Sequence, residues 1–242
     1  MAKAYRKWPL AQAMWLFAYA LIAAGLISCV VQSFGARVGL RFILFLCAFL
    51  ALAALTLHLL RRRIGSEPNT LANLLTLSRL IVGCALAAFV LSGARDRMAA
   101  ASILIWALAV LSATAVDWLD GPLARKEGPT RFGAVLDIES DSWLTLWSAG
   151  AAVTLGSLPW IVLLPPIVRY IHPLLDLRAG GLPSGGGPWW GRATGVAQMA
   201  LLLAAFAPIT GPARDAVLAV VVWPVSLAQL ATMLALLALR RR

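Results

Sequence analysis

Long apolar runs separated by short basic clusters form the main pattern of the chain. A hydrocarbon core about 30 Å thick needs roughly 20 apolar residues per helix. Runs of this kind occupy residues 8–34, 42–60, 71–93, 98–116, 133–168, 193–213 and 216–239. The run at 133–168 is too long for one ordinary span, and its Gly156-Ser157-Leu158-Pro159 segment predicts a break between two helices. The pattern predicts an all-α integral membrane protein with eight spans.

The first two spans precede the region that carries the chemistry discussed below. They predict an N-terminal transmembrane hairpin with a basic linker over residues 1–66, followed by a six-helix core over 67–242. The basic start of the chain also allows a signal peptide, and the residues before Cys29 resemble a lipoprotein cleavage site that would make Cys29 a lipidation site. The length of the run at 8–34 favours a retained helix. Residues 178–190 are rich in Gly and Pro and predict a loop.

The basic clusters predict how the chain is oriented. An even number of spans places both termini on one side, together with most of the basic residues. These clusters are Lys3/Arg6/Lys7, Arg61 to Arg63, Arg125/Lys126/Arg131, Arg178/Arg192 and Arg240 to Arg242. Because cytoplasmic loops carry the excess of Lys and Arg, we expect both termini and the segment 117–141 to face the cytoplasm, in a bacterial inner membrane.

Composition supports a membrane protein over a nucleic-acid-binding one. Hydrophobic residues make up 61% of the 242 positions and charged residues only 13%, with a net charge of +11. The positive charge lies in short clusters between apolar spans, where it sets orientation and attracts anionic lipid. The three cysteines lie inside apolar runs without paired spacing, and the two histidines are isolated, so neither residue type predicts a metal site.

Acidic residues concentrate between the fourth and fifth predicted spans. Asp117 and Asp120 are three apart and Asp137 and Asp141 are four apart, so each pair lies on one helix face. Carboxylates at the edge of a membrane helix are costly unless they are paired or bind a cation. Acidic residues at helix ends are also found simply solvated or as caps, but two such pairs on neighbouring helices predict one site for a hard cation such as Mg²⁺ or Mn²⁺. Glu139 points away from this face.

The residues around these carboxylates carry a family resemblance. Asp117-x-x-Asp120-Gly121-x-x-Ala124-Arg125, seven residues, then Gly133-x-x-x-Asp137-x-x-x-Asp141 resembles the signature of the CDP-alcohol phosphotransferase (CDP-alcohol phosphatidyltransferase) family, with a loop one residue shorter than is typical. Weaker resemblances extend over about residues 69–240. They are Asn73-Leu74-Leu75-Thr76-Leu77-Ser78-Arg79 and Gly191-Arg192-Ala193-Thr194-Gly195-Val196-Ala197-Gln198.

The resemblance and the chemistry of the side chains together imply roles for individual residues. Asp117, Asp120, Asp137 and Asp141 would hold two Mg²⁺ or Mn²⁺ ions, and Asp141 would also be the general base. The expected residues of the CDP-donor site are Asp117, Gly121, Ala124, Arg125, Asn73 and Thr76. The expected residues of the acceptor site are Arg131, Arg169 and Arg192. Arginines at the ends of spans also commonly serve as membrane anchors, which is the alternative role for these residues.

The activity that the resemblance implies is transfer of a phosphatidyl group from CDP-diacylglycerol to a small alcohol, with or without a phosphate, in phospholipid biosynthesis, with release of CMP. Transfer of a phospho-alcohol from a CDP-alcohol to diacylglycerol is the alternative within the family. A divalent-cation transporter and an inactive structural homologue are alternatives outside that activity. Membrane lipids and a second copy of the chain, as a homodimer, are the expected partners; nucleic acid is not. No residue identifies the acceptor alcohol.

Overall fold

The computed structural model describes residues 36–64, 70–93, 110–111, 113–115, 122–123, 125–126, 128, 130–170, 189–207 and 211–240. Every regular element among these residues is helical, as the sequence predicts. The longer helices are α1 (Ala36–Ile64), α2 (Leu71–Leu91), α3 (Arg131–Thr154), α4 (Trp160–Tyr170), α5 (Trp189–Phe206) and α6 (Pro212–Arg240). Helix α4 begins with a 3-10 turn at Trp160–Leu163.

Three of the described helices are long and apolar enough to cross a membrane. The candidate spans are Gly39–Leu60, Leu71–Leu91 and Pro212–Leu236. They correspond to the predicted spans at 42–60, 71–93 and 216–239. The predicted first span at 8–34 and most of the span at 98–116 lie outside the described residues, so the count of eight and the N-terminal hairpin stay predictions.

The break predicted inside residues 133–168 lies between α3 and α4. Gly156 takes a left-handed backbone conformation with φ 71°, which suits a residue without a side chain. The Ser157 amide donates to the Ala152 carbonyl at 2.9 Å and satisfies one of the last carbonyls of α3. The chain then turns and resumes as α4 after Pro159.

The boundaries predicted for α5 were wrong at both ends. The sequence predicts a loop up to residue 190 and a span over 193–213. The helix instead begins at Trp189 and ends at Phe206. The physical reason lies in the prolines of the sequence. Proline fits just at or before the start of a helix, as at Pro188, and Pro208 disfavours helical backbone at the residue before it. Apolar composition alone does not mark these stops.

Helices α2 and α3 form a closely packed parallel pair. Asn73 of α2 lies beside Gly133 of α3, and Val90 near the end of α2 lies beside Gly150 near the end of α3. Contacts therefore advance in the same direction along both helices. Two parallel helices that both cross a membrane need an odd number of crossings between them along the chain, and the span predicted at 98–116 would supply one. The arrangement places the beginnings of α2 and α3 at the same end of the pair.

Helix α2 is central and α1 is peripheral. About two thirds of the apolar, membrane-length segment of α2 is buried inside the protein, whereas only 6% of the corresponding segment of α1 is buried. Phe42 and Leu46 of α1 are buried in the core, while Leu44 and Leu55 on other faces remain exposed. An apolar helix with most of its surface uncovered fits a lipid-facing position.

Gly83→Ala is expected to destabilise the α2–α3 pair. A Cβ at Gly83 would lie 2.5 Å from Cδ1 of Trp143 and 3.3 Å from the backbone nitrogen of Leu144, so the Trp143 ring or the backbone of α3 would have to shift. Overpacking of this kind costs on the order of 1–3 kcal/mol. Thermal unfolding of the purified protein should show a lower melting temperature. Gly195→Ala is the matched control, because the nearest atom to its Cβ is 4.0 Å away; equal melting of the two variants would contradict the packing.

Candidate functional site

The beginnings of α2 and α3 form one end of the parallel pair. The Thr70 hydroxyl caps α2 by accepting a hydrogen bond from the backbone N–H of Asn73 at 3.1 Å. The Thr130 hydroxyl caps α3 by accepting one from the backbone N–H of Gly133 at 2.9 Å. A Cβ at Gly133 would lie 2.5 Å from Oδ1 of Asn73. Glycine at this position lets Asn73 approach α3. Two adjacent helix N-termini give this end of the pair a partial positive charge, which favours anions.

Asp137 and Asp141 lie one turn apart on the same face of α3, as their spacing predicts. Both carboxylates accept hydrogen bonds from Arg79 of α2, Asp137 from Nη2 and Asp141 from Nη1. The side chains of Asp137 and Asp141 are 46% and 38% exposed, whereas that of Arg79 is fully buried. The two carboxylates therefore contact one buried guanidinium and remain partly exposed themselves.

Arg79 is the residue of this site whose contacts the sequence did not reveal. The sequence shows an arginine inside an apolar run but does not show which residues it contacts. A buried guanidinium in a membrane helix needs charged or polar partners. The sequence does contain a signal for this contact. Arg79 is a charged residue inside the third predicted span, and paired aspartates lie at the edge of another span, so the two could be expected to neutralise each other.

Asn73 and Thr76 are both buried on α2, on the way from the helix start to Arg79. The Thr76 hydroxyl donates to the Ala72 carbonyl of its own helix at 3.1 Å. The Asn73 side-chain nitrogen is buried and has no hydrogen-bond partner among the described residues. A buried amide donor of this kind is available to an acceptor oxygen of a ligand.

Part of the predicted site lies outside the described residues. Asp117, Asp120, Gly121 and Ala124 fall there, and the convergence of the two aspartate pairs stays a prediction. Arg125 is described and exposed, in a short helical stretch with Lys126. Within the described ranges, no group of three or more Asp, Glu, His or Cys side chains is close enough to hold a metal ion.

Arg169, at the end of α4, reaches the turn of α3 that carries the two aspartates. Its Nη2 donates to the Ile138 carbonyl at 3.3 Å, and its charge interacts with the Glu139 carboxylate. The hydrogen bond to Ile138 ties the end of α4 to α3. Arg131 and Arg192 are exposed, in the first turns of α3 and α5.

The fold and this site define an α-helical membrane protein with paired carboxylates beside a buried arginine. The family model described as CDP-alcohol phosphatidyltransferase matches residues 69–238 of the chain. The chain belongs to this family, which confirms the resemblance noted in the sequence. The protein is accordingly a transferase of phosphatidyl or phospho-alcohol groups. No curated protein and no solved structure matches the chain.

Proposed function

We propose that this protein transfers a phosphatidyl group from CDP-diacylglycerol to a small alcohol and releases CMP. The observation that carries the proposal is the convergence of Asp137 and Asp141, part exposed, at the end of α3 that lies beside the start of α2. In the reaction, the acceptor hydroxyl oxygen forms a bond to the phosphatidyl phosphorus. The bond from that phosphorus to the CMP oxygen breaks, and the hydroxyl proton leaves.

Asp141 is the general base of this reaction. It accepts the proton of the acceptor hydroxyl as the oxygen attacks phosphorus. Its position one turn further along α3 than Asp137, and its part-exposed carboxylate, support this role. The contact with Arg79 supports it further, since the guanidinium holds the carboxylate in a fixed direction on this face of α3.

Divalent cations fit the donor set at this site. The two described carboxylates contact the same guanidinium and are both part exposed, and carboxylate oxygens are the ligands that Mg²⁺ and Mn²⁺ prefer. Asp117, Asp120, Asp137 and Asp141 would hold two such ions. When bound, the ions neutralise the negative charge of the donor pyrophosphate.

The CDP donor binds across the start of α2 and the segment before α3. Asn73 donates from its buried side-chain nitrogen to an oxygen of the nucleotide, and this is supported by the lack of another partner for that nitrogen among the described residues. Thr76 lies one turn further along α2. Arg125 donates two parallel hydrogen bonds to a phosphate of the donor, and its exposed side chain is accessible to that ligand. Gly121 and Ala124, with Asp117, complete the donor site because small residues permit close approach of the nucleotide.

The acceptor carries a phosphate or another anionic group, bound by Arg131, Arg169 and Arg192. The position of Arg169 supports this, because its guanidinium donates to the Ile138 carbonyl, in the turn of α3 that carries Asp137 and Asp141. An anion that docks near several carboxylates needs the forked donors and the positive charge of arginine. Attachment of α4 to α3 through Ile138 and Glu139 is the competing role of Arg169, and kinetics separates the two.

Arg169→Ala and Arg192→Ala are expected to raise the acceptor KM by about tenfold or more, with little change in the KM of the CDP donor. Loss of a charge-assisted contact to the acceptor weakens its binding in both ground and transition states. Steady-state kinetics with each substrate varied in turn measures the effect. Arg41→Ala is the matched control, since Arg41 is an exposed arginine on α1. Unchanged acceptor KM in both variants, or a neutral alcohol as the best substrate, would refute the anionic acceptor.

Product analysis tests which partner carries the cytidine nucleotide. The purified protein is incubated with Mg²⁺ and either CDP-diacylglycerol with a panel of alcohols and alcohol phosphates, or a panel of CDP-alcohols with diacylglycerol. Mass spectrometry of the lipids should show a new phosphatidyl product in the first set alone. A product only in the second set would establish phospho-alcohol transfer instead.

The site faces the cytoplasm, in a bacterial inner membrane, and the protein acts as a homodimer.

A further inference from the structure

Arg79 is a permanent positive charge in the interior of the α2–α3 pair. Its side chain is fully buried, and its two terminal nitrogens contact Oδ1 of Asp137 and Oδ1 of Asp141. A guanidinium does not lose its proton in proteins, and its planar fork fixes the directions of its donors. The two carboxylates are therefore held in place from α2 by a group whose charge does not change with conditions.

This charge affects the site in two opposite ways. It offsets the repulsion between Asp137 and Asp141, so that the carboxylates tolerate one another without any other cation. It also repels a divalent cation that binds the same carboxylates. The guanidinium is fully buried, whereas the two carboxylates are 46% and 38% exposed, so water and salt screen these interactions in part.

We propose that Arg79 is an internal counter-ion of the carboxylate site. It is a positioning residue that holds Asp137 and Asp141 together when no divalent cation is bound, and it lowers the affinity of the site for that cation. The proposal rests on the metal-binding role given to these aspartates in the proposed function. It follows that a cation binds well only when the negative phosphates of the donor compensate for Arg79, which ties metal binding to donor binding.

Direct metal binding tests the counter-ion. The full-length protein in detergent or nanodiscs is titrated with Mn²⁺ without nucleotide, and free Mn²⁺ is read by electron paramagnetic resonance. Arg79→Gln should bind Mn²⁺ with a Kd lower than that of the wild type by about tenfold or more. Arg79→Lys keeps the charge without the fork, and its Kd should lie between the two. Arg214→Gln is the control, because Arg214 pairs with Asp215 in α6, and its Kd should equal that of the wild type.

Melting temperatures provide a second measurement. Replacing Arg79 removes packing, and that loss is common to the metal-free and metal-loaded states. Repulsion between the carboxylates is specific to the metal-free state. Arg79→Gln should therefore lower the melting temperature more in EDTA than in Mn²⁺, and Mn²⁺ should stabilise this variant more than the wild type.

An Mn²⁺ Kd in Arg79→Gln that equals or exceeds that of the wild type would overturn the proposal. If Arg79→Gln does not fold even with Mn²⁺, the Kd of Arg79→Met, which also removes the charge and keeps much of the side-chain volume, decides in the same way. The expected Mn²⁺ results without CMP release would refute the proposed reaction alone. CMP release with an unchanged Kd would refute the counter-ion alone, and absence of Mn²⁺ binding in every variant would refute both.

Discussion

Asp141→Asn is expected to lower the turnover number by about 100-fold or more while the CDP donor still binds. The amide keeps the shape of the side chain but cannot accept the proton of the acceptor hydroxyl. The amide oxygen can still accept the hydrogen bond from Arg79, so the contact between α2 and α3 is preserved. The measurements are the rate of CMP release at saturating substrates and the Kd of the donor by calorimetry.

The matched control for this variant is Asp215→Asn. Asp215 is an exposed aspartate in the first turn of α6, paired with Arg214, and its replacement should leave turnover unchanged. A variant at Asp141 with wild-type turnover would exclude this residue as the base. If donor binding falls as steeply as turnover, Asp141 acts chiefly as a metal ligand.

Removal of divalent cations is expected to lower the rate by roughly 100- to 1,000-fold. The carboxylates of the site repel one another and the donor pyrophosphate, and Arg79 contributes a single positive charge against them. The rate of CMP release is measured in excess EDTA and again after Mg²⁺ or Mn²⁺ is added back. Activity should return with either ion.

Two controls accompany the cation experiment. The melting temperature in EDTA must show that the protein is still folded. Addition of Ca²⁺ tests whether the site selects small ions, since Ca²⁺ takes more ligands at longer distances than Mg²⁺ does. Full turnover in excess EDTA would contradict a metal-dependent reaction. Recovery with Ca²⁺ equal to that with Mg²⁺ would contradict the choice of ion.

Much of the fold follows from the spacing of apolar residues. The run at 71–93 has no proline and ends at Gly93, and the observed helix α2 ends within two residues of the prediction. The break at Gly156 was also predictable, because the segment combines glycine with proline. The end of α5 at Phe206 was not predicted, because Ala207 and Ile209 continue the apolar composition across a proline. Hydropathy reports transfer into lipid, whereas helix ends depend on backbone hydrogen bonding.

The carboxylate pair of the candidate site was predictable and its partner was not. A spacing of four places Asp137 and Asp141 on one face of a helix whatever surrounds it. The contact with Arg79 joins residues about sixty positions apart, and it depends on the parallel packing of α2 and α3. Gly133 shows the same limit. Its place in the signature was visible in the sequence, but its contact with Asn73 arises only when the two helices are packed.

Release of CMP by the purified protein tests the central claim most directly. With CDP-diacylglycerol, an alcohol acceptor and Mg²⁺ all present, CMP should form in equal amount to the new lipid, and omission of any one component should stop both. In proteoliposomes, the same protein should carry no Mg²⁺ or Mn²⁺ across the bilayer. Cation flux without CMP release from any cytidine donor would contradict a transferase and indicate a divalent-cation transporter.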